Sequence, residues 1–249
     1  MQRYFVKESN SEGRFIISGE DHHHIVRVMR MFVGNHIICV IDDERSAECV
    51  IVKITDEEIE VEVVQWLESS SELPINVTIV SGLPKGDKLE WIIQKGTELG
   101  AQTFIPFTSA RSIVKLDEKK AGKKLERWQK IAKEAAEQAH RTVIPRVESP
   151  KSLQAIIEHG RHFDVKCIAY EEKSKQGEAS AFKKALSSLN KGQSLLFVFG
   201  PEGGLTAEEV TLMEKNGFVS CGLGPRILRT ETAPLYVLSA VSYYFELME

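Results

Sequence analysis

The 249-residue sequence predicts an α/β protein in two domains: a small N-terminal β-barrel over 1–72 and a mostly parallel sheet with helices on both faces over 73–249. Three observations predict it. Residues His36 to Trp66 are rich in β-branched side chains and show no long helical period. From Ile75 onward, short apolar runs alternate with amphipathic segments, as strands do when crossover helices join them. Between the two lies Ser69-Ser70-Ser71-Glu72, followed by Pro74, a linker composition.

In the first domain, Ile59-Glu60-Val61-Glu62-Val63 alternates apolar and acidic residues, the period of a half-exposed strand. Asp42-Asp43-Glu44 separates two apolar runs and predicts a tight turn. In the second, Ile75 to Val80 is a strand and Lys88 to Leu99 a helix that Gly100 closes. Thr103 to Pro106 continues the alternation. Lys123 to Ala139 is a helix with Leu125, Trp128, Ala132, Ala135 and Ala139 on one face. Val165 to Tyr170 is a strand, Ala179 to Leu189 a helix and Leu195 to Phe199 a buried strand. Thr206-Ala207-Glu208-Glu209 is a capping box, and a strand follows around Phe218 to Cys221. The last helix, about Glu231 to Met248, is apolar on nearly every side. Such a helix is buried. Its pattern leaves open whether its own domain or a second subunit buries it.

Apolar residues make up 42% and charged residues 27%, which suits a globular domain. No apolar run reaches the ~20 residues that span a bilayer. Met1 to Glu8 lacks the apolar segment of a secretion signal, so a cytoplasmic location is expected. Cys39, Cys49, Cys167 and Cys221 are widely spaced beside aliphatic residues, the pattern of buried thiols rather than a zinc site or disulfides. The net charge of −4 does not by itself suggest a nucleic-acid partner. Its distribution is uneven: 32–72 carries 2 basic and 11 acidic residues, and 73–150 carries 14 basic and 9 acidic. A polyanionic partner is therefore compatible with the middle of the chain.

The functional signal is concentrated in the last fifty residues. Gly200-Pro201-Glu202-Gly203-Gly204 follows one apolar run, and Gly222-Leu223-Gly224-Pro225-Arg226 follows the next strand. Neither is the Gly-x-Gly-x-x-Gly of dinucleotide folds, and the first has no lysine for a triphosphate. Glycine lets the backbone approach a ligand closely, although either loop alone could be a plain turn. Two such loops after consecutive strands predict a shared crevice. His22-His23-His24 does not predict a metal site, because adjacent side chains point in different directions.

These loops, with Ile227-Leu228-Arg229-Thr230-Glu231-Thr232-Ala233, resemble the RsmE-type methyltransferases of the SPOUT superfamily. His24-Ile25-Val26-Arg27-Val28-Met29-Arg30-Met31, Ile93 to Gly100 and Glu137-Gln138-Ala139-His140-Arg141 extend the resemblance over essentially the whole chain. The resemblance implies methylation of ring nitrogen 3 of a uridine in small-subunit (16S) ribosomal RNA, with S-adenosylmethionine as cofactor. It implies a PUA-like barrel for RNA, a C-terminal trefoil knot, a homodimer through the knot region and no metal. Nothing in the period or spacing suggests a knot.

By that resemblance, Leu223, Ile227 and Leu228 form an adenine slot. Phe199, Gly200, Glu202, Gly203, Gly204, Gly224 and Thr232 line the cofactor. Arg229 stabilises the developing uridinate, with Glu231 as orienter or base; an Arg–Glu brace is the structural alternative. His24, Arg27, Arg30 and Gln138 lie along the RNA path. Arg3, Lys85, Lys88, Arg111 and Arg141 are further candidate phosphate contacts, the alternative for any one of them being a solvated surface charge, the usual fate of lysine and arginine. The rival functions are another SPOUT specificity such as 2′-O-ribose methylation, or a non-catalytic RNA-binding assembly factor.

Overall fold

The computed structural model describes residues 1–6, 13–41, 44–68, 70–112, 118–172 and 180–248. Asp42 and Asp43 of the expected turn, Ser69 of the expected linker, Ala179, Lys7 and Glu8 lie outside the described residues. The chain divides into two compact units, Met1–Glu72 with Ala136–Val143, and Leu73–Ala135 with Ile144–Glu249. The sequence pattern contained no sign that 136–143 groups with the first unit.

The first unit holds β1 (Arg3–Phe5), β2 (Arg14–Ser18), α1 (Gly19–His23), a π-helical turn (His24–Val28), β3 (His36–Val40), β4 (Ser46–Ile54) and β5 (Glu58–Leu67). The strands form one sheet in the order β1-β3-β4-β5-β2, with β1 and β2 as its edges. β1 pairs parallel to β3, and the other pairs are antiparallel. Register shifts between Glu48 and Cys49 and between Ile51 and Lys53 bend β4, which curls the sheet around its core. Among the described residues the result is a half-barrel rather than a closed one. Ile59 and Val61 are buried and Glu62 is exposed, as the alternation predicts. Ile25, on the π-helical turn, is fully buried in the same cluster as Tyr4, Phe15, Ile37 and Ile51.

The 136–143 segment is held by charge. The Arg141 guanidinium, 2% exposed, pairs with Glu72, its Nε lying 3.0 Å and 3.2 Å from the two carboxylate oxygens. Glu72 also accepts from the backbone N–H groups of Thr142 at 2.9 Å and Val143 at 3.2 Å. Arg3 donates to the Arg141 carbonyl at 3.0 Å.

The second unit holds β6 (Asn76–Gly82), α2 (Lys88–Glu98), β7 (Thr103–Thr108), α3 (Glu118–Gln138, whose last three residues belong to the first unit), β8 (Arg146–Val147), β9 (Lys151–Ser152) and α4 (Leu153–His159). After them come β10 (Val165–Ala169), α5 (Ser180–Ser187), β11 (Ser194–Phe199), α6 (Ala207–Lys215), β12 (Val219–Cys221) and α7 (Thr232–Ser242). Every strand pair is parallel, in the order β12-β10-β11-β6-β7-β8, with β9 also on β7. Alternate residues of β11 serve opposite faces. Leu195, Phe197 and Phe199 join the cluster with α2, α3, α5 and α7, and Leu196 and Val198 join the one with α4 and α6. A strand buried on both sides reads as an unbroken apolar run, which is how β11 reads.

Gly100 ends α2 with φ +91, a conformation that favours glycine. The Thr206 capping box is present in full, Glu209 N donating to Thr206 Oγ1 at 3.2 Å and Thr206 N to Glu209 Oε2 at 2.8 Å. The last helical stretch has the expected extent, 232–247, but only Thr232–Ser242 is α-helical and it continues as a π-helical turn over Tyr243–Leu247. Val237, Leu238, Val241 and Phe245 are buried in its own domain, whereas Tyr243 and Leu247 are 58% and 71% exposed. All four cysteines are free and buried.

Candidate functional site

The sheet order places the site. β11 and β12 are consecutive in sequence, but β10 lies between them. The segments that leave the carboxyl ends of these three neighbours converge on one cavity of about 700 Å³ within the second unit. Open α/β sheets bind ligands at this end of their strands. The size falls in the range of small-molecule sites.

Of the residues expected at a cofactor, Phe199, Gly200, Glu202, Gly203, Gly204, Leu223, Ile227 and Leu228 line the cavity. Gly224 and Thr232 do not; Gly224 has φ +89 and shapes the turn instead. Ala169, which ends β10, and Tyr170, Glu171 and Glu172, which follow it, also line the cavity and were not anticipated. Arg226 and Thr230 were likewise missed. The signal for the β10 segment was the strand end at Tyr170. What hid it was the strand order, which the sequence does not print.

The first loop is tightly packed. A Cβ at Gly200 would lie 2.8 Å from Gly204 C and 2.9 Å from Leu205 N, and one at Gly82 would lie 2.4 Å from Pro201 N. A Cβ at Gly204 would meet open space. The loop is braced by a side chain placed elsewhere by expectation: Arg111 Nη1 donates to the Gly203 carbonyl at 2.9 Å and to that of Leu205 at 3.4 Å. Glu209 holds that brace, accepting from Ala110 N at 2.8 Å.

Lys88 links the two loops. Its Nζ is 3.1 Å from Glu202 Oε1 and 3.3 Å from Glu231 Oε2. Glu202 Oε1 also accepts from Lys85 N at 3.1 Å. Burial pushes the Glu202 carboxyl upward, but its own and the Lys85 backbone N–H groups and the Lys88 ammonium together hold it below the usual carboxylate range. Glu202 first, and then Glu231, hold the Lys88 ammonium above its ordinary value against desolvation. Arg229 lines the cavity with an exposed side chain, while its carbonyl accepts from Thr232 N at 2.9 Å and Ala233 N at 3.0 Å at the start of α7.

The expected phosphate contacts separate into two groups. Arg27, Arg30 and Gln138 of the first unit and Lys85 of the second are exposed. His24 is half-buried, its Nδ1 3.0 Å from the Tyr4 hydroxyl. Arg3 and Arg141 require correction. Both are buried and committed to the Glu72 network, so neither guanidinium is presented to a phosphate. Lys88 and Arg111 are likewise engaged in the cavity wall. Among the described residues no three metal-ligating side chains gather, and His22 Nε2 lies 3.0 Å from the Thr55 carbonyl, apart from His24's partner. No described helix is long and apolar enough to cross a membrane.

An RNA methyltransferase domain matches residues 71–242, and an RNA methyltransferase PUA domain matches 17–64. The ribosomal RNA small subunit methyltransferase E of Bacillus subtilis is 57% identical over 252 residues, covering 100% of this chain and 98% of its own. The chain belongs to the ribosomal RNA small subunit methyltransferase E family. Its Mesomycoplasma hyopneumoniae member is 30% identical over 239 residues, covering 96% of this chain and 98% of its own. The Neisseria gonorrhoeae member, solved bound to S-adenosyl methionine, superposes with a TM-score of 0.85 at 27% identity, covering 98% of each chain. This cavity fits that cofactor in chemistry: Leu223, Ile227 and Leu228 bring apolar surface to the cavity that the first glycine loop also lines, and glycine there leaves the backbone bare.

Proposed function

We propose that this protein methylates ring nitrogen 3 of a uridine in 16S ribosomal RNA, using S-adenosylmethionine. The observation that carries the reading is the convergence of Gly200–Gly204 and Leu223–Arg229 on one cavity. In this reading Leu223, Ile227 and Leu228 hold the adenine, and Phe199 and the first loop hold the rest of the cofactor. When bound, the cofactor supplies an electrophilic methyl group on a sulfonium. The protein then has to orient the uracil and remove its N3 proton. Arg229 donates to the uracil carbonyl on which negative charge grows. Glu231 takes the proton; it sits behind the lining residues, 3.3 Å from the Nζ of the cavity-lining Lys88, and its Oε2 accepts no hydrogen bond.

RNA is held by the exposed Arg27 and Arg30 of the first unit, with Gln138 and Lys85 as further contacts. Phosphate contacts of this kind position the target without reading its sequence. The exposed Tyr243 and Leu247 at the end of the last helix support a homodimer through that helix. The return of the chain from the edge strand β12 to α7, packed on α2, is compatible with the trefoil knot. The enzyme works in the cytoplasm, where its RNA is. Nucleoside mass spectrometry of 16S RNA from cells lacking the protein tests this. Loss of one 3-methyluridine, restored by the wild-type chain, is the expected result. Loss of a ribose methylation, or of no modification, would overturn the reading.

A further inference from the structure

We propose that Lys88 is a positioning residue for the methyl transfer, holding the Glu231 carboxylate against the first glycine loop, and is not an RNA phosphate contact. This rests on the function proposed above. Lys88 opens α2, yet its ammonium meets one carboxylate from each of two loops that belong to strands separated by β10. Glu202 is anchored a second time by Lys85 N, so the lysine is held from the side of the first loop.

Glu231 is the residue whose placement depends on this. It occupies the N-cap position of α7 with helical φ −75 and ψ −24, and its side chain makes no capping hydrogen bond. The Arg229 carbonyl takes the N–H groups of Thr232 and Ala233 instead. The Glu231 carboxylate is thereby released from capping and turned to Lys88. The 3.3 Å contact is an ion pair without hydrogen-bond geometry, and Oε2 is buried with no hydrogen-bond donor. The adjacent ammonium compensates the charge of that oxygen and leaves it without a hydrogen-bond donor. In the reaction proposed above, the uracil N3–H is the donor it receives. Lys88 fixes the orientation of the acceptor without occupying its hydrogen-bonding site.

A phosphate role fits the same residue poorly. Two carboxylates surround one ammonium, so the local balance is negative. A phosphate approaching Lys88 would meet repulsion from both.

The test uses the full-length protein, small ribosomal subunits and methyl-labelled S-adenosylmethionine. Turnover at saturating RNA, RNA affinity across a salt series and melting temperature are measured for Lys88→Met, Lys88→Arg, Glu231→Gln, Glu202→Gln and the Lys88→Met/Glu231→Gln pair. Lys88→Met is expected to lower kcat about tenfold or more, a loss of ~1.4 kcal/mol or greater in transition-state stabilisation, while RNA affinity and its salt slope stay as in wild type. Lys88→Arg recovers most of the loss. Adding Lys88→Met to Glu231→Gln costs nothing further, because the carboxylate it positions is already gone. Should Lys88→Met not fold, Glu202→Gln carries the test, with a smaller fall in kcat at unchanged RNA affinity. An unchanged kcat, or a weaker RNA affinity with a shallower salt slope, overturns the inference. So does a fall in melting temperature that alone accounts for the lost rate. If wild type itself transfers no methyl group, the function fails and takes this inference with it; wild-type transfer with an indifferent Lys88→Met sinks the inference alone.

Discussion

Gly200→Ala isolates the cofactor loop from the chemistry. The new methyl would sit 2.8 Å from Gly204 C, 2.9 Å from Leu205 N and 3.0 Å from Gly204 Cα, all backbone atoms. Ordinary contact begins near 3.4 Å, so the loop must open by about 0.6 Å. No side chain can swing aside to relieve it. Gly200 does not have a positive φ, so the cost is steric crowding and not backbone strain. Overpacking of this kind costs roughly 1–3 kcal/mol. At about 2–4 °C per kcal/mol for a chain of this length, melting should fall by about 2–12 °C. Because the displaced atoms are cavity wall, S-adenosylmethionine should bind about tenfold more weakly, or ~1.4 kcal/mol. Titration calorimetry and a thermal melt on the same preparation measure both. A Kd within twofold of wild type, with a lowered melting temperature, would show that the first loop does not shape the cofactor site.

Arg229→Ala should lower the methylation rate about a hundredfold, the scale of removing one transition-state donor, while cofactor affinity changes far less; single-turnover assays beside calorimetry check this. Glu72→Ala removes the carboxylate that pairs with the buried Arg141 guanidinium and accepts from Thr142 N and Val143 N, and should cost the first unit several kcal/mol, on the order of 3–5, in chemical denaturation. Arg27→Glu with Arg30→Glu should weaken RNA retention on filters and flatten its salt dependence while cofactor binding stays intact; indifference to this pair would remove the half-barrel as the RNA platform.

Much of the fold was legible because local patterns agreed with tertiary context. The apolar run Leu195 to Phe199 is buried on both faces, the Ile59 to Val63 alternation has one wet face, and Gly100 and the Thr206 box mark helix ends by their own chemistry. What stayed hidden depends on strand order. Nothing in the run Val165–Tyr170 says that β10 separates β11 from β12, so Tyr170, Glu171 and Glu172 went unnoticed in the cavity wall. Charge was the other blind spot. Arg141 and Lys88 read as phosphate contacts or solvated cations because their carboxylate partners, Glu72 and both Glu202 and Glu231, are distant in sequence. The same reasoning failed for Arg111, whose acceptors are backbone carbonyls that no residue type announces.

The most direct test is chemical. Purified protein, small ribosomal subunits and methyl-labelled S-adenosylmethionine are incubated, and the RNA is digested to nucleosides and analysed by mass spectrometry. A single labelled product, 3-methyluridine, is the predicted result. Label on a ribose oxygen, on another base, or nowhere would contradict the assignment of this cavity to uracil methylation.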